Sequence, residues 1–192
     1  SNSTPRGVPT MHRLLSDRGA RVASLCVPTT WPPESLNGVV VSGFDSPVST
    51  GIDQSHCAPK SLYPELLRRF DGLRFADFNE CRIDDDWHQK ARWALLKEIP
   101  RKEAVSRWLL QKERWDLMML LWGETDTVSH HFWAHSDGNS PRHNAVRSQS
   151  ERHAIRDVYQ AIDRSIGRLL DAASPELVVL CSDHGFGGAG DH

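Results

Sequence analysis

Asp116-Leu117-Met118-Met119-Leu120-Leu121-Trp122-Gly123-Glu124-Thr125-Asp126-Thr127-Val128-Ser129-His130 is the stretch on which the fold turns. Its first half, Asp116 to Trp122, is a near-continuous apolar run, the pattern of a strand buried on both faces. Its second half passes through Gly123 into helix-start chemistry, with Thr125 and Asp126 both competent N-caps. Downstream, Ser150 to Ala173 repeats Ile155, Val158, Ile162, Ile166, Leu169 and Leu170 at three- and four-residue steps, which predicts an amphipathic helix. Pro175 ends that helix, and Leu177 to Cys181 reads as a second buried strand.

Upstream, the alternation continues. Thr10 to Arg18 has helical spacing with Met11, Leu14 and Leu15 on one face, and Gly19 is a stop. Arg21 to Val27 reads as a strand, and Pro28, Pro32 and Pro33 enforce an irregular loop after it. Asn37-Gly38 is a turn signal before a short apolar run, Val39 to Val41. Phe44 to Pro59, rich in Ser, Asp, Gly and Pro, reads as a surface loop. Leu62 to Phe70 is an expected helix, with Pro64 tolerated in its first turn. Asp84 to Lys112 carries an apolar helical stripe that Pro100 should divide into two helices. Strands alternating with helices indicate an α/β domain with a mostly parallel sheet flanked by helices.

Composition narrows the function. The 192 residues suffice for one domain with a core, and 39% apolar with 25% charged residues is ordinary for a globular protein. A net charge of −2 gives no reason to expect a nucleic acid duplex or an anionic membrane as partner. No apolar run approaches the ~20 residues that span a bilayer. No secretory signal opens the chain, although it does not begin with Met. The cysteines Cys26, Cys57, Cys81 and Cys181 have neither zinc-ribbon spacing nor the density of a disulfide scaffold. Reduced thiols favour a cytoplasmic setting.

Both apolar runs end in metal-competent side chains. In a parallel sheet, ligands bind beyond the carboxyl ends of the strands. After the first run, Asp126 and His130 stand four residues apart, on one face of a helix and ~5–6 Å from each other. After the second run comes Cys181-Ser182-Asp183-His184-Gly185-Phe186-Gly187-Gly188. Each pair has a bland alternative: helix cap and surface histidine for Asp126 and His130, turn residues for Asp183 and His184. Together, on one sheet edge, they form a mixed oxygen and nitrogen set that suits divalent cations. Two such ions ~3.5–4 Å apart make a phosphoryl-transfer site.

Leu117 to Trp133 and Ile162 to Gly188 resemble the type I phosphodiesterase/nucleotide pyrophosphatase family of the alkaline phosphatase superfamily. More closely they resemble its predicted phosphohydrolase/phosphomutase branch. The matching residues are Glu124-Thr125-Asp126, His130, Phe132-Trp133 and Ser182-Asp183-His184-Gly185-Phe186. Arg21-Val22, Val27-Pro28, Trp31-Pro32-Pro33-Glu34, Asn37-Gly38 and Val41-Ser42-Gly43-Phe44 match the same branch in the same order.

The resemblance implies an alkaline-phosphatase-like core and a metal-dependent phosphohydrolase of phosphodiesterase type, with a small phosphate ester as substrate. By position, Asp126 and His130 belong to one divalent metal and Asp183 and His184 to the other. Zn²⁺ is the first candidate, with Mn²⁺ the second. The family's nucleophile is a Ser or Thr, placed upstream of the region where this chain begins, beyond a further strand with a metal-binding Asp. Thr29 and Thr30, in the Pro-rich loop, do not occupy its place. Another His ligand is expected downstream of residue 192, and His192 does not take that role. The chain therefore reads as residues 1–192 of a single partial catalytic domain, incomplete at both ends and inactive alone.

Alternatives remain at this stage. A phosphomonoesterase, phosphomutase or phospho-group transferase of the same superfamily fits the same ligands. So does a non-catalytic domain with remnants of the motif, or an unrelated α/β protein in which both pairs are caps and turns. His131 competes with His130 by adjacency. His135, His143 and His153 read as solvated, and Asp84-Asp85-Asp86 as favourable charge at a helix N-terminus.

Overall fold

The computed structural model describes residues 7–43, 52–73, 86–143 and 148–188. Of the residues singled out above, Phe44, Cys81, Asp84, Asp85 and His192 lie outside these. The chain divides into two compact units, residues 1–77 with 101–123 and residues 78–100 with 124–192.

The first unit holds the sheet. β1 (Val22–Val27) pairs in parallel with β2 (Gly38–Ser42) and with β4 (Leu117–Leu120), while β3 (Cys57–Ala58) runs antiparallel to β2. The order is β3-β2-β1-β4, the mostly parallel α/β sheet expected. Gly38 is required where β2 enters the sheet. Its φ is +152°, and an added Cβ would lie 1.9 Å from the carbonyl oxygen of Val22.

Burial falls on a different strand from the one expected. In β1, Val22, Ala23, Ser24 and Leu25 are fully buried and Cys26 nearly so. β4 is only half-buried at every position. The reason is placement: among the described residues β4 pairs only with β1, so it lies at an edge.

One face of the sheet packs on α2 (Leu62–Phe70) and on the second half of α3 (Trp87–Lys112). Leu25, Cys26, Val41 and Cys57 meet Leu62, Leu66, Val105 and Leu109 in one core. Burying each leucine contributes about 2 kcal/mol. Adjacent side chains on β4 diverge. Met118 joins this core, whereas Met119 places its sulfur 3.0 Å from Nε2 of His12 in α1 (Met11–Asp17). Thr10 caps α1, its hydroxyl accepting from the N–H of Arg13 at 3.1 Å. The buried side of α1 is displaced from the expected one, because His12 turns inward and Met11 and Leu14 are exposed.

Two further expectations change here. The part of the Phe44–Pro59 segment that lies among the described residues is not a surface loop. A 3₁₀ turn, Gln54–His56, capped by Asp53, leads into β3, and Ile52, His56 and Cys57 are buried. Pairing with β2 explains this, since a free strand edge is covered by even a two-residue partner. Nor does Pro100 split α3, which is a single helix. Pro100 is exposed, so its ring displaces no core side chain, and it falls where the two compact units divide.

The second unit is helical among its described residues. It contains the first half of α3, α4 (Glu124–Ser136), α5 (Gln149–Arg152) and α6 (Ala154–Ala173). Ala154, Val158 and Ile162 recur every four residues and are buried, so α6 presents the predicted apolar stripe. Its start is later than expected. A capping box of Ser148 and Glu151 opens α5 as a separate turn, and His153 breaks the run with φ −99° and ψ 1°. Asp157 of α6 accepts from the Arg92 guanidinium of α3 at 2.6 Å.

Leu177 to Cys181 is not a buried strand. It has no strand pairing among the described residues, and Leu177 and Leu180 are 79% and 81% exposed. An apolar run supplies the faces of a strand but not its ladder, and none of the described residues hydrogen-bonds along it. Among the described residues no helix is long and apolar enough to cross a membrane.

Candidate metal centre

α4 begins at Glu124, four residues beyond the last paired residue of β4, Leu120. This sets Asp126 in the first helical turn, where a carboxylate is favoured by the helix dipole. His130 follows one turn later, its Nε2 3.4 Å from Oδ1 of Asp126. The second half arrives from the irregular segment after α6. Nε2 of His184 lies 3.6 Å from the same oxygen, and Oδ2 of Asp183 lies 3.9 Å from Nε2 of His184.

Oδ1 of Asp126 is the informative atom. It is sealed from solvent and accepts no hydrogen bond. A buried carboxylate oxygen without a partner loses its hydration uncompensated, at a cost of about 1–3 kcal/mol or more. Two imidazole nitrogens face it without hydrogen-bonding to it, at 3.4 and 3.6 Å, close to the ~3.3 Å that separates neighbouring donors around a tetrahedral ion with ~2.0–2.1 Å bonds. Carboxylate oxygen and imidazole nitrogen are donors of the kind a divalent cation accepts. The set is not a finished cage, since among the described residues no group of three or more His, Cys, Asp or Glu side chains is arranged to hold a metal ion.

The tautomer of His184 is set locally. Nδ1 lies 2.9 Å from the Gly185 carbonyl and donates to it, which leaves the Nε2 lone pair directed away from the backbone. That bond and the charge of Asp183 raise the pKa of His184, against a smaller opposing effect of desolvation, with Asp126 adding a further upward push. Asp183 itself is 90% exposed at its side chain. Around these groups stands an aromatic wall. The ring of Phe186 lies 4.8 Å from that of His130, edge on, and 5.3 Å from that of Trp133.

The other histidines go elsewhere. His131 packs its ring against Trp87 at 5.0 Å. His135 is buried, not solvated, because α4 extends to Ser136 and carries Phe132 and His135 on its inner side. Its Nε2 meets Nε2 of His88 at 3.1 Å. His143 is exposed, and His153 sits at the junction of α5 and α6. The Thr30 hydroxyl has a structural task, donating to the Val27 carbonyl at 2.6 Å and accepting from the N–H of Gly43 at 3.2 Å. Thr29 donates to the Pro28 carbonyl.

The sequence profile of the type I phosphodiesterase / nucleotide pyrophosphatase family matches residues 4–191. The chain belongs to this family. No curated protein and no solved structure gives a match. The profile spans both compact units, so strand-bearing and helical parts are pieces of one type I phosphodiesterase sequence. Membership implies hydrolase activity of the phosphodiesterase type in a family that is generally metal-dependent. Two features of this family member are not legible in its sequence: the sharing of Asp126 Oδ1 between halves, and the Phe186 contact. The spacing after β4 signals only the Asp126 and His130 half of the first, and Phe186 offers only its place two residues beyond His184.

Proposed function

We propose that this type I phosphodiesterase family member is a metal-dependent phosphodiester hydrolase of nucleotide pyrophosphatase type. Asp126 and His130 would hold one divalent cation, and Asp183 and His184 the other. Zn²⁺ is the preferred ion, with Mn²⁺ the alternative, because the donors are carboxylate oxygen and imidazole nitrogen. The observation that carries the reading is the solvent-sealed Oδ1 of Asp126, which accepts no hydrogen bond and faces Nε2 of His130, with Nε2 of His184 3.6 Å from it bringing the second pair beside the first.

When bound, such ions polarise a phosphoryl oxygen and offset the charge that builds up at phosphorus. The chain's own groups prepare this. Asp126 supplies a carboxylate, and the Gly185 carbonyl selects the neutral His184 tautomer whose Nε2 carries the lone pair. The exposed side of His130 and Asp183 leaves access for a small phosphate ester, and the net charge of −2 gives no reason to expect a nucleic acid duplex as partner. The nucleophile is a Ser or Thr that none of the described hydroxyls is assigned to.

The test combines metal analysis with turnover of bis-p-nitrophenyl phosphate by the protein and by Asp183→Ala and His130→Ala. Each substitution should lower bound zinc, and any hydrolysis by the protein should fall with it. Metal content and hydrolysis unchanged in both variants would sink the reading.

A further inference from the structure

The segment after α6 that carries Asp183 and His184 has no secondary structure between residues 174 and 188, yet it must place His184 within ångströms of α4. Backbone pairing does not do this among the described residues. Side-chain contacts do. Phe186 sets its ring perpendicular to that of His130, at 89° and 4.8 Å. Trp133, one turn beyond His130 on α4, lies against the other part of Phe186 at 5.3 Å and 37°. Trp133 is itself pinned, its indole N–H donating to Oδ2 of Asp137 at 3.2 Å. Two residues further on, Gly188 approaches so closely that an added Cβ would lie 2.9 Å from the Ser140 hydroxyl.

We infer that Phe186 is a positioning residue: its ring, backed by Trp133, orients His130 and docks the Asp183-His184 turn against α4. This rests on the metal reading given above only for its consequence, not for its geometry. His130 is 61% exposed at its side chain, so no packed shell fixes its rotamer. An edge-to-face aromatic contact is directional and supplies that orientation. Because Phe186 and His184 lie in one short turn, the same contact places both imidazoles about Asp126.

The test uses Phe186→Leu and Phe186→Tyr in the 192-residue chain, titrated with Co²⁺ and followed by imidazole NMR. His130 is identified by the signal lost in His130→Gln. Phe186→Leu should weaken Co²⁺ about tenfold, the scale seen when groups that orient metal ligands are removed, and Phe186→Tyr should restore it to within about threefold. In the metal-free protein, the ring-current shift of the His130 protons should vanish with leucine and persist with tyrosine. The unfolding midpoint should stay level across the variants. Equal Co²⁺ affinity in all three proteins, or equal weakening by leucine and tyrosine, would overturn the inference. If the unmodified protein bound no Co²⁺, the metal reading would fail alone. The His130 shift would then decide: lost only with leucine it supports the orienting role, unchanged it refutes it.

Discussion

Asp126 shows what a single residue can and cannot disclose. Its place four residues before His130 was legible, because helical periodicity alone puts the two on one face. That its Oδ1 would also face His184 was not, since this depends on how a segment without secondary structure settles. The tautomer of His184 is equally invisible in sequence, being set by the carbonyl of its neighbour Gly185. Asp53 makes the same point elsewhere. It lies in a segment whose composition reads as a surface loop, yet it caps a 3₁₀ turn and contacts buried His56 at 2.9 Å. Hydrogen bonds from the Ser55 hydroxyl, then from His56 and the Ser55 backbone, lower its pKa from 3.8 to about 2. A depressed carboxylate contributes stability above its unfolded value, and that contribution is lost as pH falls through the folded one. Asp53→Asn should therefore be less stable than the unmodified protein at about pH 5, with the gap closing by about pH 2. The effect will be modest, because the Asp53 side chain is 55% exposed and screened by solvent. Denaturant midpoints across that range provide the check, and a gap independent of pH would show that Asp53 is not ionised preferentially in the fold.

Elements with strong periodicity were read to within a few residues. Leu62–Phe70 matches its expected bounds because its buried leucines, Glu65 near its start and Arg68 and Arg69 near its end all agree. β3 was missed because two residues carry no period, and only the free edge of β2 makes them a strand. Pro100 was misjudged for a related reason. A proline removes one helical hydrogen bond and crowds the preceding turn, but packing on either side of it can hold the helix together. Leu95 and Ile99 before it, and Val105 and Leu109 after it, are all buried. The local conflict should then persist as a cost within a continuous α3. Pro100→Ala should restore the bond to the Leu96 carbonyl and raise stability by about 1–3 kcal/mol, the range between a full interior-proline penalty and the entropy returned to the unfolded chain. Chemical denaturation with far-ultraviolet circular dichroism measures it. A loss of stability would mean that the proline's geometry is needed where the two units divide.

For the whole molecule, the unresolved tension lies between Leu177–Leu180 and the rest. The sequence offered this run as a strand by composition, and composition was sufficient for β1 because β1 has a neighbour on each side. The same chemistry, with no pairing strand among the described residues, leaves four successive apolar side chains between 52% and 81% exposed. Such a run combines high β-propensity with no charge, the composition that promotes edge-to-edge pairing between chains. A net charge of −2 offers little long-range repulsion to oppose it. Val179→Lys should therefore reduce concentration-dependent self-association, because a lysine on an extended edge makes strand addition unfavourable. It should leave the unfolding midpoint within about 0.5 kcal/mol, as expected for an exposed position. Sedimentation velocity over a hundredfold concentration range separates the outcomes. If the unmodified protein is monomeric throughout, the run is not an associating edge in solution. If Val179→Lys instead lowers stability by more than about 1 kcal/mol, Val179 is packed within the chain in solution.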